Sequence, residues 1–140
     1  MESRTTAYVD DLTHEVCLVL LASHHVGRLA FVGDDDYPVV LPVNYVVDAD
    51  DIIVRTDQGA MFEYAPLHRV AFEVDDFDDE TQTGWSLLVR GAARDVTGEH
   101  PHAALAPCEP DVWAPGDRRH ILAVRIEQIS GRQIVRARTT

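Results

Sequence analysis

The first ordered pattern along the chain is an apolar run from Val16 to Leu21. Thr13 stands before it as an N-cap, and Glu15 falls in the first turn, where a carboxylate is favourable. Together they predict a helix from His14 to Ser23. Its apolar residues are consecutive and cover more than one face, so the helix is expected to pack on two sides, within a dimer. After it the period changes. Runs rich in Val, Ile and Tyr at 26–33, 38–47 and 52–56 read as strands. Gly59 to Tyr64 reads as a short helix stopped by Pro66. Strands resume at 68–75 and 84–97, the latter long enough to bend. Glu99 to Leu105 reads as a helical turn and Ala106 to Arg118 as a Pro-rich loop. Two last strands fit 119–128 and 132–138, with Ser130-Gly131 as the turn between them. Residues 1–10 show no clear pattern and predict a loosely held arm.

Many short strands with few helices favour an antiparallel barrel over a doubly wound sheet. No G-x-G-x-x-G or P-loop occurs. The reading is a mainly β fold, one domain over residues 1–140. Two features inside it point to a ligand. Pro42 interrupts the second strand-like run. A proline cannot donate to a ladder, so it marks an edge or a bulge and leaves backbone groups for another partner. The third run ends in Arg55-Thr56 with Gly59 close behind. A cation, a hydroxyl and a glycine turn at a strand end suit a phosphate.

Composition narrows the classes. A chain of 140 residues is long enough for one real core. No run approaches the roughly 20 apolar residues of a membrane span. No basic segment precedes Cys17–Ala22, so a signal peptide is not expected and a cytoplasmic location is the default. Acidic residues outnumber basic ones 24 to 12, a formal charge of −12, and every basic side chain is Arg. Nucleic acid is excluded as a partner, because it needs clustered cations. The acid clusters at Asp34–Asp36, Asp48–Asp51 and Asp75–Glu80 mostly fall in predicted turns and lack the spacing of a calcium loop. Cys17 reads as a buried small hydrophobe and Cys108 as a loop residue, with neither a C-x-x-C motif nor a disulfide expected. The histidines show no metal-ligand spacing. His24-His25 sits at a helix end, where a cation is favourable. Ser86 lies within a strand, without a nucleophile elbow.

Six segments in fixed order carry a resemblance. They are V-G-R-L-A-F (Val26–Phe31), P-V-V-L-P-V-N-Y (Pro38–Tyr45), V-R-T-D-Q-G (Val54–Gly59), V-A-F-E-V-D (Val70–Asp75), T-G-W-S-L-L-V-R-G (Thr83–Gly91) and W-A-P-G-D-R (Trp113–Arg118). This order resembles the pyridoxamine 5'-phosphate oxidase-like flavin-binding proteins, in their short actinobacterial-type branch. The likeness runs from about Leu12 to about Arg136. It implies a six-stranded antiparallel split β-barrel that forms a homodimer, with FMN at the subunit interface and a small-molecule redox substrate.

The resemblance also assigns residues. Arg55 and Thr56 match the phosphate-binding strand end; otherwise Arg55 is an exposed strand Arg paired with an Asp. Arg28 is a second phosphate candidate. Pro42, Val43 and Asn44 match the segment whose backbone lies along the flavin ring. Trp85 matches a region that approaches the cofactor from the other subunit, or else is a dimer-core aromatic. Trp113 covers the ring or anchors its loop. Arg118 and Arg132 are candidates for a substrate anion. Relatives carry a lysine two residues beyond the turn glycine to grip the phosphate. Here the turn reads Gly59, Ala60, Met61. Losing one charge-assisted contact costs about 1.5–3 kcal/mol, roughly ten- to a hundredfold in affinity. Met61 therefore keeps other readings open: a non-catalytic or sensing flavin protein, a reductase using a deazaflavin coenzyme, or haem ligation through His as a minor one. True pyridoxamine phosphate oxidation is not expected, since no basic cluster stands ready for the substrate phosphate.

Overall fold

A computed structural model describes residues 4–56, 68–99 and 120–139 of the chain. They form one helix, α1 (His14–Ala22), and seven strands. The strands are β1 (Arg4–Asp11), β2 (Val26–Val32), β3 (Pro38–Asp48), β4 (Asp51–Thr56), β5 (Arg69–Asp78), β6 (Thr83–Asp95) and β7 (His120–Thr139). All pair antiparallel, in the order β1-β7-β4-β3-β2-β5-β6, and β6 returns to β7. Without β1, the remaining six strands close into the expected split barrel. β7 effects the closure. Its first half lies between β4 and β6; beyond Arg125 it leaves β4, and from Arg132 it takes β1 on that side.

The barrel closes around alternating side chains. Gly27, Leu29 and Phe31 on β2, Val70, Phe72 and Val74 on β5, and Leu87 and Val89 on β6 point inward and are buried. Tyr45 is fully buried, stands edge-on to Phe72 at 5.0 Å, and donates its hydroxyl to the Leu21 carbonyl at 2.6 Å. Burial pushes the Tyr45 phenol well above its ordinary range. This bond ties α1 to the core, where the helix buries Cys17 and Leu21. Full burial of a leucine such as Leu21 contributes about 1.5–3 kcal/mol. Thr13 caps α1 as expected, its hydroxyl accepting from the Val16 N–H at 3.2 Å. At the other end His24 Nδ1 lies 2.8 Å from the Leu20 carbonyl, so that nitrogen carries the proton. No helix among the described residues is long and apolar enough to cross a membrane.

Two expectations change. Residues 4–11 are not a loose arm but strand β1, paired with β7 from Arg4↔Thr139 to Asp11↔Arg132. Side chains 6–11 are all exposed, so no alternation betrayed the strand. Residues 120–139 form one strand rather than two joined at Ser130-Gly131. Gly131 is there for close packing: a Cβ on it would meet Cys17 Sγ and Leu87 Cδ2 at 2.8 Å. Helix α1 packs on one side only within this chain, leaving Val16, Leu18 and Val19 exposed. The helical readings at 59–64 and 99–105 and the loop at 106–118 fall almost wholly outside the described residues.

Candidate functional site

The site grows from the point where β3 and β4 part. Their ladder runs from Asp48↔Asp51 to Tyr45↔Val54 and ends there. Toward Pro38, β3 continues with β2 alone, while β4 runs on to Thr56 beside β7. Asn44 and Arg55 are the residues next to the last ladder pair. The Tyr45 N–H bonds the His25 carbonyl on the β2 side. Antiparallel alternation then turns the backbone nitrogens of Asn44 and Pro42 to the opposite side, beyond the reach of the β4 ladder. Pro42 therefore costs the sheet no hydrogen bond, which is why a strand interior tolerates it.

Side-chain alternation sorts the candidates by face. Val43 points into the core with 8% exposure, and the same alternation turns its backbone N–H and C=O toward β2. Pro42, Asn44 and Arg55 share the outer face, where a second small cluster of Ile53, Val96 and Ala123 packs with Val46 and Ile121. Arg28 is the ladder partner of Pro42 and stands on the same face. The β2–β3–β4 surface thus brings Arg28, Pro42, Asn44, Arg55 and the Thr56 backbone into neighbouring positions. Trp85 belongs elsewhere. It packs against the core of its own chain, edge-on to His24 at 4.7 Å. Gly59, Met61, Trp113, Arg118 and Cys108 lie outside the described residues. Arg132 lines a separate concavity of about 510 Å³ with Asp11 and His14.

Arg28 is already engaged. Its Nη1 lies 3.0 Å from Glu73 Oε1 and 3.2 Å from Asp75 Oδ2. A phosphate at Arg28 would have to displace both carboxylates. Burial, then the neighbouring Asp75, pushes the Glu73 carboxyl up to about 7, while Arg28 opposes the shift. Near neutral pH this cluster can hold or release a proton beside the candidate site. The sequence reading gave Glu73 no role and counted Asp75 in a turn cluster, whereas both stand on β5. Alternation in V-A-F-E-V-D does place both on one outer face; what it cannot show is that the facing strand presents Arg28.

Comparisons with known proteins agree with this architecture. The family model described as pyridoxamine 5'-phosphate oxidase matches residues 13–133. An uncharacterized protein of Mycobacterium tuberculosis is 35% identical over 95 residues, covering 64% of this chain and 62% of that protein. The match thus spans less than two thirds of that relative's length. An FAD-binding protein of Mycobacterium smegmatis superposes with a TM-score of 0.67 and 29% identity, over 90% of this chain and 98% of the other. An FAD-binding protein of Mesorhizobium loti gives a TM-score of 0.73 and 26% identity, over 89% and 97%.

Proposed function

The chain belongs to the pyridoxamine 5'-phosphate oxidase family, and from that premise we propose that it is an FMN-binding oxidoreductase acting on a small organic redox substrate. The observation that carries the proposal is the parting of β3 and β4 beside Asn44 and Arg55. It sets the backbone of Pro42 and Asn44 next to a guanidinium at a strand end, polar groups of the kind that a flat ring with a phosphate tail requires. In this reading Arg55 and Thr56 hold the phosphate, and the backbone of Pro42, Val43 and Asn44 lies along the ring edge. Arg28 orients its surroundings through Glu73 and Asp75 rather than gripping phosphate. Bound flavin would supply the electron transfer; the protein binds, orients and keeps water from it. Two copies complete the site. The exposed Val16, Leu18 and Val19 of α1 give each protomer an apolar face to cover in a homodimer.

The similarity to two FAD-binding proteins favours FAD as a second reading of the cofactor. Its second phosphate offers another handle where Met61 supplies none. Titrating the purified chain with FMN and with FAD, then desalting, separates the two. Retention of a band near about 450 nm identifies the flavin that is held. Arg55→Ala should weaken that binding by about tenfold or more, the scale of one charge-assisted phosphate contact. A variant that titrates like the parent removes Arg55 from the site. If neither flavin is retained, the flavin reading itself fails.

A further inference from the structure

On the outer face one ladder row crosses five strands: Val40 on β3, Ala30 on β2, Ala71 on β5, Arg90 on β6 and Gln128 on β7. The two alanines at its centre carry only a methyl each, and a pocket of about 460 Å³ opens over them. Arg69 and Arg90 both line this pocket. Arg69 pairs with Ala92 and Arg90 with Ala71, which makes the two arginines diagonal neighbours on one face. Such neighbours lie about 7–8 Å apart at the backbone, and a single anion can then bridge two long guanidinium arms. Arg28, Arg94 and Arg125 are each held by carboxylates. Among the described residues, Arg69 and Arg90 make no ion pair or side-chain hydrogen bond, even with Glu127 on the same rim. In a chain with twice as many acids as bases, two cations that no described carboxylate neutralises line one alanine-floored pocket.

We infer that this pocket is a recognition site for a small organic anion: a carboxylate or phosphate monoester held between Arg69 and Arg90, with a compact apolar body over Ala30 and Ala71. The anion accepts charge-assisted bonds from both guanidiniums. The methyl floor and Val32 take the apolar part. Ala30 lies two residues along β2 from Arg28 on the same face, a distance of about 7 Å, so the occupant would lie beside the Arg28–Pro42 row. That it is the redox substrate rests on the flavin reading; that it binds does not.

Calorimetric titration of the full chain with benzoate, phenyl phosphate and inorganic phosphate tests the site. The aromatic acid, the aromatic phosphate or both should bind saturably, with inorganic phosphate weaker by about tenfold or more because the floor goes unused. The double variant R69Q/R90Q should lose about tenfold or more of that affinity. Both side chains are exposed, and an unchanged circular dichroism spectrum would confirm the fold. Ala71→Leu should block the aromatic ligands by filling the floor. R125Q/R136Q, a control that removes the same two charges outside the pocket, should bind as the parent does. Equal loss in R125Q/R136Q, unchanged binding in R69Q/R90Q, inorganic phosphate binding as well as the aromatic ligands, or no saturable binding would each overturn the inference. FMN is titrated separately, so a chain that binds benzoate but no flavin upholds this site and overturns the flavin reading.

Discussion

Replacing Gly131 with alanine should destabilise the protein by overpacking the seat of α1. The backbone itself would accept alanine, since Gly131 does not have a positive φ. On that ground alone a Gly→Ala change stabilises by about 0.4–1 kcal/mol through the unfolded chain. The surroundings reverse the sign. The new Cβ would sit 2.8 Å from Cys17 Sγ, 2.8 Å from Leu87 Cδ2 and 3.0 Å from Leu12 Cδ1. Comfortable carbon contacts lie at about 3.5–4.0 Å, so the intrusion is of order 0.5–1 Å at three places at once. Cys17 and Leu87 are each 1% exposed and have nowhere to retreat. Overpacking of this kind costs about 1–3 kcal/mol, leaving a net loss of roughly 1–2 kcal/mol. For a domain of this size that lowers Tm by about 3–8 °C. Urea unfolding followed by tryptophan fluorescence would show a lower midpoint at unchanged m. Cys17→Ala removes one obstructing atom, so combining it with Gly131→Ala should recover about 0.5 kcal/mol or more relative to the sum of the single changes. A Gly131→Ala protein as stable as the parent, or strictly additive single changes, would mean that α1 does not rest on Gly131.

Asp51 accepts from Arg94 at 2.7 and 3.0 Å and from Arg125 at 3.1 Å. Burial alone would raise its carboxyl, but the two guanidiniums outweigh burial and hold it below the usual range. A depressed pKa contributes stability above the unfolded value, lost as pH falls through the folded one. Asp51→Asn should cost about 1–2 kcal/mol at pH 7, less than a fully buried pair because both arginines are half exposed, and should flatten the acid limb of the stability profile. Glu73 has the opposite sign. Raised to about 7, it contributes stability that is complete below its unfolded value and lost as pH rises through neutrality. Glu73→Gln should remove that decline and stabilise the protein at pH 8 by up to about 1 kcal/mol, a figure discounted for solvent exposure; a parent with no decline between about pH 5 and 8 would refute the shift. Val19, 67% exposed, should tolerate aspartate in the folded chain. If α1 covers itself in a homodimer, Val19→Asp should halve the mass seen in sedimentation, and a parent already monomeric would end that reading.

Local chemistry was legible in the sequence, and long-range register was not. The helix was readable because a capping threonine and a first-turn carboxylate announce its start, and the hydroxyl of Thr13 does accept from Val16. The strands from β2 to β6 were readable because β-branched residues alternate against one core. β1 was not, because a strand exposed along its side chains carries no alternation. Gly131 was misread because glycine inside a strand has two physical meanings, a turn or a close approach, and only the position of α1 decides between them. Arg28 looked like a phosphate ligand because its carboxylate partners stand 45 and 47 residues away on a strand whose register no local pattern fixes.

The same limit governs the candidate site, and it gives the site its sharpest constraint. Side chains alternate with a period of two, so one step of register would exchange every residue between core and surface. In the observed register Val43 and Tyr45 are buried, and therefore Pro42 and Asn44 must face out. Val54 is buried, and therefore Arg55 must face out. Arg28 faces out beside the buried Gly27, where a Cβ would meet the Phe72 ring and leave no room for an inward side chain. The outer placement of Arg28, Pro42, Asn44 and Arg55 thus follows from the packing of Tyr45, Val54 and Phe72 inside. Any ligand that uses these residues together must lie on the outside of the barrel. It meets them where β3 and β4 separate, and water can be excluded from it only by other parts of the chain or by a second copy.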